Sequence, residues 1–154
     1  MDTIKSEYDV LIKKHKLPSF NKLDKEFEIR ALEENRSGRP VKAILRVMAG
    51  KLRGFLETLD PVASPNPNSI HSMIAANNLP EATRKEMYDF YKKIGSLYQK
   101  CLFYDLEEDE LGAEFIKKLW AKWSKIKKTQ KRYMKLIIET WDKELPKEKA
   151  GYHG

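Results

Sequence analysis

A chain of 154 residues with 41% hydrophobic and 34% charged side chains has the size and composition of one folded domain rather than of a disordered chain. It has no apolar run near the roughly 18 residues that a bilayer span needs, and its only cysteine, Cys101, excludes an internal disulfide and a cysteine-based zinc cluster. The net charge is +7, and the charged, non-apolar start Met1–Asp9 leads us to expect no secretory signal and a cytoplasmic protein.

The periodicity predicts six helices and no strands. The first covers Thr3–Lys16, with Ile4, Tyr8, Leu11, Ile12 and His15 on one face, and ends before Pro18 because proline cannot donate to the helix ladder. Ser19 is placed to cap a second helix whose apolar face is Phe20, Leu23, Phe27 and either Ile29 or Leu32. Asn35–Arg39 reads as a polar loop. Pro40 suits the first turn of a third helix, where its missing N–H costs nothing. Val41, Leu45, Met48, Leu52, Phe55 and Leu59 then recur at steps of four and three, with Ile44 and Leu56 widening the stripe. Ala43, Val47, Gly50 and Gly54 lie on the other side. Glycine is a poor helix former, so a second helix packing closely on that side is the expected explanation.

Pro61, Pro65 and Pro67 mark Asp60–Ser69 as a stiff, extended linker. Ser69 should cap a short fourth helix, Ile70–Asn77, with Met73 and Ile74 facing inward. The fifth runs from Pro80 to Tyr104, burying Met87, Tyr91, Ile94, Leu97, Tyr98, Cys101 and Leu102. Asp105 and Glu108 have the spacing of a capping box for a sixth helix reaching Leu145, before Pro146. Its apolar positions are Leu111, Phe115, Leu119, Trp123, Ile126, Tyr133, Met134, Ile137, Trp141 and Leu145. At ~1.5 Å per residue this helix outruns a compact body of such a chain, so it either bends, near Gly112 or around Thr129–Gln130, or projects beyond the body, where the first three helices or a second chain could cover its far end.

These elements predict an all-α fold, a six-helix mixed or orthogonal bundle with a long C-terminal helix hairpin. The expected layers are residues 1–60 as three helices, 61–69 as a Pro-rich linker and 70–146 as the hairpin layer, followed by a flexible tail at 147–154, the whole forming one domain.

The charge is uneven. Arg36, Arg39, Lys42, Arg46, Lys51 and Arg53 make six cations between residues 36 and 53, with no acid among them. Lys117, Lys118, Lys122, Lys125, Lys127, Lys128, Lys131, Arg132 and Lys135 make nine more between 117 and 135, again with no acid. The two segments together carry +15, which leaves −8 for the rest of the chain. Local basic surface is the footprint that an anionic polymer uses. On a helical wheel most of the sixth helix's cations fall outside its apolar arc, with Lys127 inside the arc and Lys122 at its margin. Against that stands a plain alternative, a solvated face rich in lysine, as in heat-adapted proteins.

Among the aromatics, Trp123 and Trp141 fall in the apolar stripe and read as core. Trp120 sits at its edge and is the tryptophan placed to stack on a base. His15, His71 and His153 lack metal-ligand spacing, and Cys101 reads as a small buried hydrophobe. The acids Asp105 and Glu107–Glu110 suit a helix N-terminus without a metal. A helix-turn-helix reading is disfavoured because the third helix is apolar on two sides.

The expected function is therefore non-enzymatic binding of RNA or a ribonucleoprotein without sequence readout, with no cofactor and no membrane partner. The phosphate contacts would come from Arg39, Lys42, Arg46, Arg53, Lys117, Lys118, Lys125, Lys128, Lys131, Arg132 and Lys135. The competing expectation is a protein–protein adaptor or a self-associating bundle.

Overall fold

The protein is all-α. The computed structural model describes residues 3–30 and 39–143, with side chains from Lys5 onward. These residues form α1 (Thr3–His15), α2 (Phe20–Phe27), α3 (Pro40–Ala63), α4 (Ile70–Asn78), α5 (Glu81–Asp105) and α6 (Asp109–Asp142), with no strand among them. Leu32, Arg36, most of the Asn35–Arg39 loop, Leu145, Pro146 and the tail lie outside the described residues. By packing, the chain divides into two units, Met1–Gly54 with Gly95–Lys125 and Phe55–Ile94 with Ile126–Gly154.

In the first unit, Lys16 at φ 54° follows the end of α1, and the buried Tyr8 donates its hydroxyl to the Pro18 carbonyl at 2.9 Å. Ser19 caps α2 as expected, its Oγ accepting from the Lys22 amide at 3.3 Å. The helix stops at Glu28, which adopts the left-handed conformation at φ 53° while its N–H bonds the Asp24 carbonyl at 2.7 Å. Phe20, Leu23 and Phe27 are buried, and Ile29 joins them from a short 3₁₀ turn. Phe27 stands 4.6 Å, centroid to centroid, from Trp123. The Trp123 indole N–H donates to Glu26 at 3.2 Å, so burying the ring leaves no orphaned donor.

The N-terminal part of the α3 seam behaves as its spacing predicts, with Val41, Ile44, Leu45, Met48 and Leu52 all buried. The opposite side does not. A Cβ built on Gly50 or Gly54 meets nothing within 4 Å, and both residues are exposed. Among the described residues, then, neither glycine marks a close helix contact. The close approach occurs elsewhere. A Cβ on Gly112 of α6 would come within 2.8 Å of Val41 Cγ1 and 3.1 Å of Leu45 Cδ1. Valine is stiff at χ1, so the contact has little room to relax.

This contrast sets a paired prediction. Gly50→Ala and Gly95→Ala, both facing open space, raise stability by up to about 1 kcal/mol each through helix propensity. Gly112→Ala lowers it by about 1–3 kcal/mol through overpacking. Urea midpoints that move all three variants in the same direction would contradict the packing described.

In the second unit, Leu59, Val62, Ala75, Leu79, Met87 and Tyr133 form a buried cluster, with Phe90, Tyr91, Leu136 and Ile137 packed against it. The expected linker starts too early, because Pro61 lies inside α3, which continues to Ala63. In the last turn, proline forfeits only one helix bond. The segment after it is a fastened turn rather than an extended spacer. Buried Ser72 donates to the Pro61 carbonyl at 2.8 Å and accepts from the Asn66 amide at 3.0 Å. Ser69 caps α4, its Oγ accepting from Ser72 N at 3.4 Å. Ile74 is buried as expected, but Met73 is exposed and Ser72 and Ala75 take the inward positions.

α5 and α6 form the expected hairpin, with Tyr104 stacked on Phe115 at 5.0 Å in the first unit and Phe90 edge-on to Tyr133 at 5.5 Å in the second. Their junction corrects the expected capping box. Asp105 is the last residue of α5, and α6 begins at Asp109, with the Glu108 carbonyl accepting from Leu111 and Gly112. Leu102 and Leu111, assigned to apolar faces by spacing, are exposed at this end of the hairpin.

Candidate nucleic-acid interface

The basic residues of α3 and those of α6 have different surroundings. In the first unit, the Lys42 ammonium bonds the carbonyl of Asp105 and, at 2.8 Å, that of Glu107. These groups close α5, where the last carbonyls of a helix lack intrahelical donors and a lysine supplies them. Arg46 pairs with the Asp105 carboxylate at 3.3 Å. Both residues therefore hold the α5–α6 turn in place. The Lys42 ammonium is committed to this bonding, and Arg46 retains only part of its guanidinium for any other contact. Arg39 and Arg53 are exposed.

On α6 the picture is uniform. Lys117, Lys118, Lys122 and Lys125 in the first unit are exposed, as are Lys127, Lys128, Lys131, Arg132 and Lys135 in the second. Lys127, expected inside the apolar arc, is also exposed. All nine stand on one helix, Asp109–Asp142, which carries no acid between Glu114 and Glu139. The helix can keep its cations in solvent because its other side is filled by Phe115, Ile116, Leu119, Trp123, Ile126 and Tyr133, all buried. Arg132 lies over the neighbouring Tyr133 ring, 4.8 Å from its centroid, and donates to the Tyr133 hydroxyl at 3.3 Å. This contact orients its guanidinium. Burial raises the Tyr133 pKa, with Arg132 opposing the shift, so the phenol stays neutral beside it.

Trp120, expected at the edge of the stripe, is half-buried, with its ring 6.4 Å from Phe27 at 59°. Trp141, expected in the core, is instead 47% exposed and stands edge-on to His71 at 5.0 Å. The His71 and Trp141 rings border a cleft of about 350 Å³ in the second unit, lined also by Glu57, Val62, Ala75 and Ile137. Spacing placed Trp141 on the apolar face correctly, but the α3 and α4 residues that line this cleft with it leave it partly open.

The acids at the α5–α6 turn are taken up in part by cations, Asp105 by Arg46 and Glu110 by Lys14 at 3.5 Å. Among the described residues no group of three or more His, Cys, Asp or Glu is placed to hold a metal ion. No described helix is long and apolar enough to cross a membrane. Cys101 is buried, and burial pushes its thiol from 9.0 up to about 12. The thiolate is the reactive form, so native protein at pH 8 should resist a thiol reagent that labels it fully in urea. Rapid labelling of the folded protein would contradict the burial.

Compared with protein-family models, with curated proteins and with solved structures, the chain matches none.

Proposed function

We propose that the protein is a non-enzymatic binder of RNA, free or within a ribonucleoprotein, and that α6 is its contact element. The observation that carries this reading is the run of nine exposed cations on one helix, uninterrupted by any acid. Neutralising phosphates with such a face releases condensed counterions, and that release drives the binding. Eight of the nine are lysines, which act as point charges rather than as the planar fork that reads a guanine edge. Contacts of this kind position a backbone without reading its sequence.

The contact set is Lys117, Lys118, Lys125, Lys128, Lys131, Arg132 and Lys135, with Arg39 and Arg53 as further exposed cations. Lys42 leaves the set because its ammonium closes α5, and Arg46 contributes mainly to the turn. Trp120 adds at most the part of its ring that Phe27 leaves open.

Labelled single-stranded RNAs of equal length and unrelated sequence test the reading. Affinities that agree within about threefold are expected, since the phosphate term is independent of sequence. Absence of binding to all of them near physiological salt would contradict the proposal, and strong preference for one would contradict the absence of sequence readout.

A further inference from the structure

In the second unit α6 presents an apolar strip to solvent. Met134, Ile138 and Trp141 recur at steps of four and three, which at ~100° per residue places them within about 60° of one another. They are 37%, 58% and 47% exposed, although large apolar residues at this spacing ordinarily face a core. His71 stands edge-on to Trp141 at 5.0 Å and so fixes that end of the strip.

The strip is bounded by Lys131 on its N-terminal side and Asp142 on its C-terminal side, both exposed. Neither forms an ion pair with another described residue. A strip with a cation at one end and an anion at the other is its own complement when turned end for end. That is the requirement for an isologous two-fold interface, in which each residue meets in the partner the residue that meets it.

We propose that this face is a homodimer interface, with α6 of a second copy packed antiparallel along it. With the two-fold axis at the level of Leu136 and Ile137, Met134 of each chain lies beside Ile138 of the other. Lys131 of each chain then reaches Asp142 of the other, its ammonium passing over the Trp141 ring. Lys125, Lys128 and Arg132 lie to one side of this strip on the helical wheel. Of the RNA contact set only Lys131 is shared with this seam, so the dimer does not rest on RNA binding, and Ile138→Asp and Asp142→Lys test it without touching a phosphate contact.

Sedimentation equilibrium of the full chain from about 1 µM to about 1 mM tests the proposal, with a concentration-dependent monomer–dimer equilibrium expected. Ile138→Asp should weaken association about a hundredfold or more, because the buried centre of an interface carries most of its energy. Since Ile138 is more than half exposed in the chain, the variant's helical content and urea midpoint should match the wild type's at concentrations where both are monomeric. Lys131→Asp and Asp142→Lys should each weaken the dimer about tenfold, and an equimolar mixture of the two should regain wild-type association by pairing opposite charges across the seam. A monomer at every concentration, or a dimer indifferent to Ile138→Asp, would overturn the interface. A mixture that associates no better than either variant alone would overturn its antiparallel register.

Discussion

Reversing Lys125, Lys128 and Arg132 to glutamate together should lower RNA affinity by at least about a hundredfold and flatten its salt dependence by roughly two log units per log unit of salt. Three phosphate contacts are removed, and each accounts for a slope of about 0.7 on single strands. Three repulsions replace them. Lys125 and Lys128 are exposed, so their reversal leaves the fold intact. Arg132 gives up its place over Tyr133, and the effect of that loss is isolated by Arg132→Gln alone, which should keep the circular dichroism spectrum and most of the affinity. The control is Lys13→Glu, Lys22→Glu and Lys25→Glu, three exposed lysines on α1 and α2 whose reversal changes the net charge equally. If that triple costs as much affinity, the attraction belongs to the molecule's overall charge rather than to α6.

The largest loss of stability should follow Phe27→Ala, about 3–5 kcal/mol by the usual cost of truncating a buried aromatic. Phe27 is 2% exposed and meets both Trp123 and Trp120. Its helix has eight residues, too few to persist in water without tertiary contacts. Removing the ring therefore leaves a cavity beside Trp123 and loosens α2 as well. Urea unfolding followed by tryptophan fluorescence reads both effects, since Trp120 and Trp123 report directly on the site. A midpoint near the wild-type value, with unchanged emission, would show that α2 is not anchored through Phe27.

What the sequence showed well was local. The caps at Ser19 and Ser69, the start at Pro40 and the buried seam of α3 each depend on neighbours within a few residues, and periodicity reads such relations directly. What it missed depends on distant partners. Gly50 and Gly54 suggested a close helix contact, yet the glycine that makes one is Gly112, whose constraint comes from Val41 and Leu45 some seventy residues earlier. Pro61 read as a helix breaker, but Ser72 fastens the segment after it. Lys42 looked like any basic residue of its segment, and only the fold brings it to the carbonyls of Asp105 and Glu107. Trp141 shows the limit of a helical wheel, which gives a residue's face but not how fully the neighbouring elements cover it. In the candidate interface, the clustering of cations on α6 was legible because it needs one helix only, whereas the separate role of Lys42 and Arg46 was not, because it depends on the α5–α6 junction they turn to.

The most direct test of the account is the affinity of the full chain for labelled single-stranded RNA across a salt series from about 50 to 300 mM. Binding in the sub-micromolar range near physiological salt, with a log–log slope of about −4 to −5 for six or seven phosphates engaged, is the predicted result. Binding that survives only at the lowest salt, with a slope near −1, would contradict it and leave the lysine face of α6 as solvated surface.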